Sequence, residues 1–158
     1  MLVGNVAAAV QVKEAQKAAL LLGQEIRVLN ANNEHEIESA FASFTQQQAR
    51  AVLVSVDPLF DSRPEQLVAL AARHAMPTIY YLREFITAGG LISYGASISD
   101  TYRQAGIYAG RILKGEKPGD LPIVLPTKFD VVLNLKTAKA LGIAVPTSIL
   151  LRANEVIE

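Results

Sequence analysis

The chain has 158 residues, is 51% hydrophobic and 19% charged, and carries 15 basic against 15 acidic side chains with no cysteine. That length and apolar content specify one domain with a substantial core, or one lobe and part of another. Balanced charge implies no basic face for nucleic acid, and no basic run suggests a membrane surface. The lack of cysteine excludes a disulfide frame, a thiolate metal site and a cysteine nucleophile.

In chain order, Leu2-Val3 reads as the end of a strand and Gly4-Asn5 as a turn. Val6 to Leu22 is rich in good helix formers, with Gly23 placed for a left-handed cap. Glu25–Leu29 predicts a short strand, and Asn30–Asn33 a turn and a helix cap. Ile37, Ala40, Phe41 and Phe44 then recur at helical spacing. Ala51–Val56 sets four Val or Leu residues within five positions and reads as a strand buried on both faces, ended at Asp57-Pro58 because proline cannot join the ladder. Ser62 and Glu65 form a candidate capping box around Pro64, opening a helix whose Leu67, Leu70 and Ala71 face inward. Thr78–Tyr81 is the next strand and Arg83–Ala88 a short helix stopped by Gly89-Gly90. The alternation predicts an α/β fold, a doubly wound parallel sheet with short connections.

Leu91–Ser97 predicts another strand, and Ser99 a cap on a helix over Asp100–Leu113. Ala105-Gly106 and Ala109-Gly110 give that helix a small-residue face, suited to close packing and not to phosphate, since the glycines lie inside the helix. A solvated loop follows, then extended chain from Ile123 to Asn134 broken at Pro126, a short helix capped by Asn134 and ended at Gly142, and a partly helical tail. No run approaches the roughly 18–20 apolar residues of a bilayer span. The first residues lack a charged segment followed by an apolar one, so as given the chain shows no export signal.

Chemistry concentrates where strands end. His35 and His74 have no second ligand at metal spacing, the serines lack a nucleophile-elbow pattern, and no phosphate-binding glycine loop is present, so neither metal nor cofactor is expected. Asp57, at the end of the third parallel strand, stands where a receiver domain holds its phosphoacceptor. The acidic pair that chemistry needs is replaced by Gly4-Asn5, and Ser97 stands where it wants a lysine. Asp57 therefore either meets a ligand or turns the chain. Phe60, Tyr80, Tyr81 and Tyr94 fall at or just beyond strand ends, where an aromatic with a polar tip suits a crevice for a small amphiphile. Only one of Tyr80 and Tyr81 can face a given side. Glu84 either pairs with an ammonium group or stabilises the first turn of its helix.

Set in order, several stretches resemble the substrate-binding proteins of bacterial ABC uptake transporters. They are Val54–Phe60, Leu67–Arg73, Ala88–Gly95, Tyr102–Gly106, Ile112–Pro118 and Asn134–Gly142. The resemblance implies a lobe of the type I periplasmic binding protein fold, tryptophan- and tyrosine-binding members of which are known, and it covers only the second of two lobes. It implies residues 1–90 as second-lobe domain, 91–127 as a crossover normally belonging to the first lobe, and 128–158 as return strand, short helix and tail. It further implies a non-enzymatic protein that binds a small solute, an aromatic or branched amino acid, and delivers it to an ABC permease. The ligand-facing set expected on this lobe is Asp57, Phe60, Tyr81, Glu84 and Tyr94, with Ser55 beside them. The family location is periplasmic or lipid-anchored, while the chain as given would stay in the cytoplasm. With its companion lobe absent, the chain is expected to form a homodimer. The alternatives are a flavodoxin-like signalling or enzymatic domain using Asp57, and a folded fragment that binds nothing.

Overall fold

A computed structural model describes residues 1–4 and 8–158, so the turn expected at Asn5 and the helix start expected at Val6 lie outside the described residues. The strands are β1 (Leu2–Val3), β2 (Leu29–Asn30), β3 (Val52–Leu53), β4 (Thr78–Tyr80), β5 (Ile92–Ala96), β6 (Phe129–Asn134) and β7 (Glu155–Ile157). The helices are α1 (Ala8–Leu21), α2 (Glu34–Gln46), α3 (Pro58–Asp61), α4 (Pro64–Arg73), α5 (Arg83–Thr87), α6 (Ile98–Leu113), α7 (Leu135–Ala140) and α8 (Thr147–Leu150). None is long and apolar enough to cross a membrane.

β1 and β2 pair in parallel, and β3 to β7 form a second run in sequence order. A parallel bridge between Leu2 and Val54, with the Ser55 amide donating to the Leu2 carbonyl at 3.0 Å, seats β1 beside β3. The doubly wound α/β reading holds. All pairings are parallel except β5 with β6, whose antiparallel register sets Tyr94 opposite Val131 and Ala96 opposite Phe129. β6 therefore begins at the end where β5 finishes.

One face of the sheet carries the core. Ile37, Ala40, Phe41 and Phe44 of α2, and Leu67, Leu70 and Ala71 of α4, are buried against Val52, Val54 and Tyr80. Phe41 meets Phe44 edge-on at 6.3 Å, and Tyr80 stacks on Phe85 at 4.7 Å. The α2 start is double-locked. The Asn33 side chain accepts from the Glu36 amide at 2.9 Å while Glu36 accepts from the Asn32 amide at 2.8 Å, and that bond holds the exposed Glu36 carboxyl below its usual range.

Several sequence expectations are corrected. The run Ala51–Val56 is not buried on both faces: Leu53 of β3 and Val56 beyond it are exposed, because they turn away from α2 and α4 toward the side that α1 covers with small residues. A cavity of about 780 Å³ remains there, lined by Ala15, Ala18, Ala19, Leu53 and Ile79 among others. Of Glu25–Leu29 only Leu29 is ladder-paired, since β1 offers so short a partner. Ser62 does not cap α4. Its hydroxyl donates back to the Leu59 carbonyl at 2.8 Å, closing α3, and α4 begins after Arg63 without a side-chain cap. Ser99 likewise lies inside α6, which starts after Ser97. The tail adds a strand, β7, parallel to β6. Finally, α6 is only lightly held within the lobe, chiefly by the Tyr108 hydroxyl donating to the Pro122 carbonyl at 2.7 Å and Asp100 pairing with Lys128 at 3.1 Å. None of its residues is buried, and Cβ atoms added at Gly106 or Gly110 would meet no atom within 4 Å.

Candidate functional site

The ends of β1, β3, β4 and β5 and the start of β6 meet along one edge of the sheet, where α/β folds place ligands. Two devices hold that edge. Asp57 caps α3, its Oδ1 accepting from the Leu59 amide at 2.8 Å. Its carboxylate is buried directly over Gly4: a Cβ there would sit 2.0 Å from Oδ2. The Tyr81 hydroxyl donates to Asp61 Oδ1 at 2.5 Å and accepts from the Asp57 amide at 3.3 Å. Burial, then the bond to Asp61, raises the Tyr81 phenol above its ordinary range.

Beyond these, Tyr94 is 54% exposed and stacks on Phe129 at 5.5 Å with an 18° interplanar angle. The pair is a flat aromatic surface open to solvent. Ser55 is buried, and its hydroxyl has no hydrogen-bond partner among the described residues. An unsatisfied buried hydroxyl costs about 1–3 kcal/mol, which a ligand group would recover. Gln11 of α1 bonds both polar groups of the Val56 backbone, Oε1 from the amide at 3.0 Å and Nε2 to the carbonyl at 3.4 Å, and so ties α1 to this edge.

Of the residues singled out in the sequence, Ser55, Asp57, Tyr81 and Tyr94 lie at this edge, and Glu84 stands exposed in the first turn of α5 just past β4. Phe60 does not face the crevice. It is 0% exposed, because the single turn of α3 that Asp57 caps rotates it inward against the core. Tyr80 is buried on the same core face, leaving Tyr81 as the tyrosine of that pair near the crevice. His74 ends α4 and bonds Thr45 Oγ1 at 2.9 Å, away from this edge. The sequence reading took Gly4 only as a turn and gave Gln11, Asp61, Gly95 and Phe129 no role at this edge. Glycines at strand ends were the available signal for two of them; for Gln11 nothing local gave one.

Gly95 is the sharpest of these constraints. An added Cβ would lie 2.0 Å from the Tyr81 carbonyl oxygen, a backbone atom that cannot swing aside. Gly95→Ala is expected to cost about 1–3 kcal/mol of stability by overpacking. Urea denaturation measures it, and an unchanged midpoint would show that β5 does not approach Tyr81 as described.

Comparison with known proteins gives a consistent answer. A family model described as ABC transporter substrate binding protein matches residues 3–157. No curated protein matches. Among solved structures, the chain is similar to an ABC domain in complex with L-Trp from Streptococcus pneumoniae, at 26% identity and a TM-score of 0.87, over 99% of this chain and 54% of that one. It is similar in fold to a conserved domain protein from Vibrio cholerae, at 23% identity and a TM-score of 0.84, over 98% of this chain and 53% of that one. A ligand-free, open substrate-binding protein with adhesive properties from Clostridium difficile shares the fold at 20% identity and a TM-score of 0.69, over 99% and 52%. The chain thus spans about half the length of these relatives.

Proposed function

The chain belongs to the ABC transporter substrate-binding protein family, and from that premise we propose that it supplies one lobe of a two-lobed receptor for a free amino acid with an aromatic or branched side chain. The carrying observation is the set gathered at the carboxyl edge of the sheet: the Asp57 carboxylate, the uncommitted Ser55 hydroxyl and the open Tyr94–Phe129 stack. A carboxylate answers an ammonium group, a hydroxyl answers a carboxylate, and a flat aromatic pair answers an apolar side chain. The L-Trp complex of the pneumococcal relative is consistent with that class of solute. Glu84 stands at the outer margin of the same edge.

The action is non-covalent. A solute held between two lobes stabilises their closed arrangement, and the closed form is what a permease accepts outside the cytoplasm. The crossover expected over 91–127 is shortened, because β5 pairs with β4 and β6 in this lobe; residues 98–127, between Ser97 and β6, are the segment that reaches the companion lobe. As 158 residues alone, the chain pairs with a second copy through that segment. The reading of Asp57 as a phosphoacceptor has nothing to favour it, because Gly4-Asn5 stands where that chemistry needs an acidic pair and Ser97 where it needs a lysine.

In a protein carrying both lobes, calorimetry with L-tryptophan, L-phenylalanine and L-leucine tests the assignment. Asp57→Ala and Tyr94→Ala are each expected to weaken the preferred solute by about 1–3 kcal/mol, the range for leaving a polar partner unpaired or removing an aromatic contact. Parent-like affinity in both variants would move the site elsewhere.

A further inference from the structure

The opposite end of the sheet holds a second concavity. α4 and α7 flank the start of β4 and the Gly89-Gly90-Leu91 turn, and a cavity of about 340 Å³ remains between them. Its volume follows from composition. Ala71 and Ala72 of α4, Ala140 of α7 and Gly89-Gly90 offer almost no side chain to fill the space. Gly90 cannot be larger: a Cβ would lie 2.8 Å from the Tyr80 ring and 2.7 Å from the Phe85 carbonyl oxygen.

The wall is apolar apart from a few groups, and these differ in what they have left to offer. The Thr78 hydroxyl donates to the Met76 carbonyl at 3.0 Å, and the Thr137 hydroxyl to the Gly89 carbonyl at 2.7 Å. Tyr80 is only 1% exposed, and its hydroxyl, beside that of Thr78, is sealed behind the wall and presents no surface to the cavity. Lys136, on the same wall, forms no ion pair among the described residues. The volume is at the lower end of small-molecule sites, which run from about 300 to 1,000 Å³.

We propose that this cavity is a second ligand site, at the end of the lobe away from the crevice, for a small amphiphilic carboxylate. The apolar body of the ligand lies against Ala71, Leu91 and Ala140. Its carboxylate pairs with the Lys136 ammonium. The site needs nothing from the companion lobe, so it is available in this chain as it stands.

Nuclear magnetic resonance titration of the 158-residue protein with hexanoate tests this, with hexanamide as the uncharged control. Saturable amide shifts are expected around residues 71–76, 89–91 and 136–141, with hexanamide at least fivefold weaker. Lys136→Ala, at an exposed side chain, is expected to weaken hexanoate at least fivefold without changing the fold. Ala140→Leu fills the space and is expected to abolish binding. Absence of saturable shifts, shifts confined to Asp57, Tyr81 and Tyr94, or parent-like affinity in Lys136→Ala would each overturn the proposal. The crevice itself is tested separately, by calorimetry on the two-lobed protein.

Discussion

Phe60→Ala is expected to remove about 3–5 kcal/mol of stability, the usual cost of truncating a fully buried phenylalanine. Phe60 is 0% exposed and belongs to the cluster that joins α2, α4 and β4, so its loss leaves a void that the turn at Asp57-Pro58 cannot collapse to fill. Domains of this size have about 5–15 kcal/mol in total, so this one substitution would consume a large part of it. Denaturation in urea should show a lower midpoint with an unchanged slope. A loss below about 1 kcal/mol would return Phe60 to the surface and restore it as a ligand-facing residue.

That residue also marks where sequence reasoning reaches its limit. Asp57, Pro58 and Phe60 announce that a strand has ended and a turn begun, and the structure agrees. Which way Phe60 points depends on α3, a single turn whose rotation is fixed by the Asp57 cap on the Leu59 amide. Four residues carry too short a period to reveal it. The same limit applies to Ala51–Val56. An apolar run does not say whether both faces are covered, and here α1 lies over Leu53 with alanines that leave it partly open. Long periodic segments were readable: the inward faces of α2 and α4, and the stop at Gly89, where φ is +105° and only glycine sits easily. The crevice was legible as a location, because strand ends gather on one edge. Its constraints were not, because Gly4 and Gly95 matter through contacts with residues far along the chain, the Asp57 carboxylate and the Tyr81 carbonyl.

The 158-residue chain, prepared alone, is expected to be a dimer. α6 carries Ile98, Tyr102, Ala105, Ala109 and Ile112 at alternating spacings of four and three, a seam along one face. No residue of that helix is buried, and Leu113 is 88% exposed. The stretch that returns from it is equally bare, with Ile123 at 97% exposed, and Val124 and Leu125 beside it also exposed. Monomers rarely leave contiguous apolar patches beyond a few hundred Å² uncovered. β5 is already hydrogen-bonded to β4 and β6 within the lobe, so exchange of that strand gains nothing. What remains free to pair is α6 itself, and a two-fold axis sets its alanine and glycine face against the same face of a second copy. Light scattering after size-exclusion chromatography should report twice the mass of one chain. Ala109→Arg, which sets a long cation in the middle of that face without touching the core, should return the monomer with an unchanged denaturation midpoint. A chain that also carries the companion lobe should run as a monomer, since the same surface then has an intramolecular cover. A monodisperse monomer of the 158-residue protein across micromolar concentrations would show that this face needs no partner.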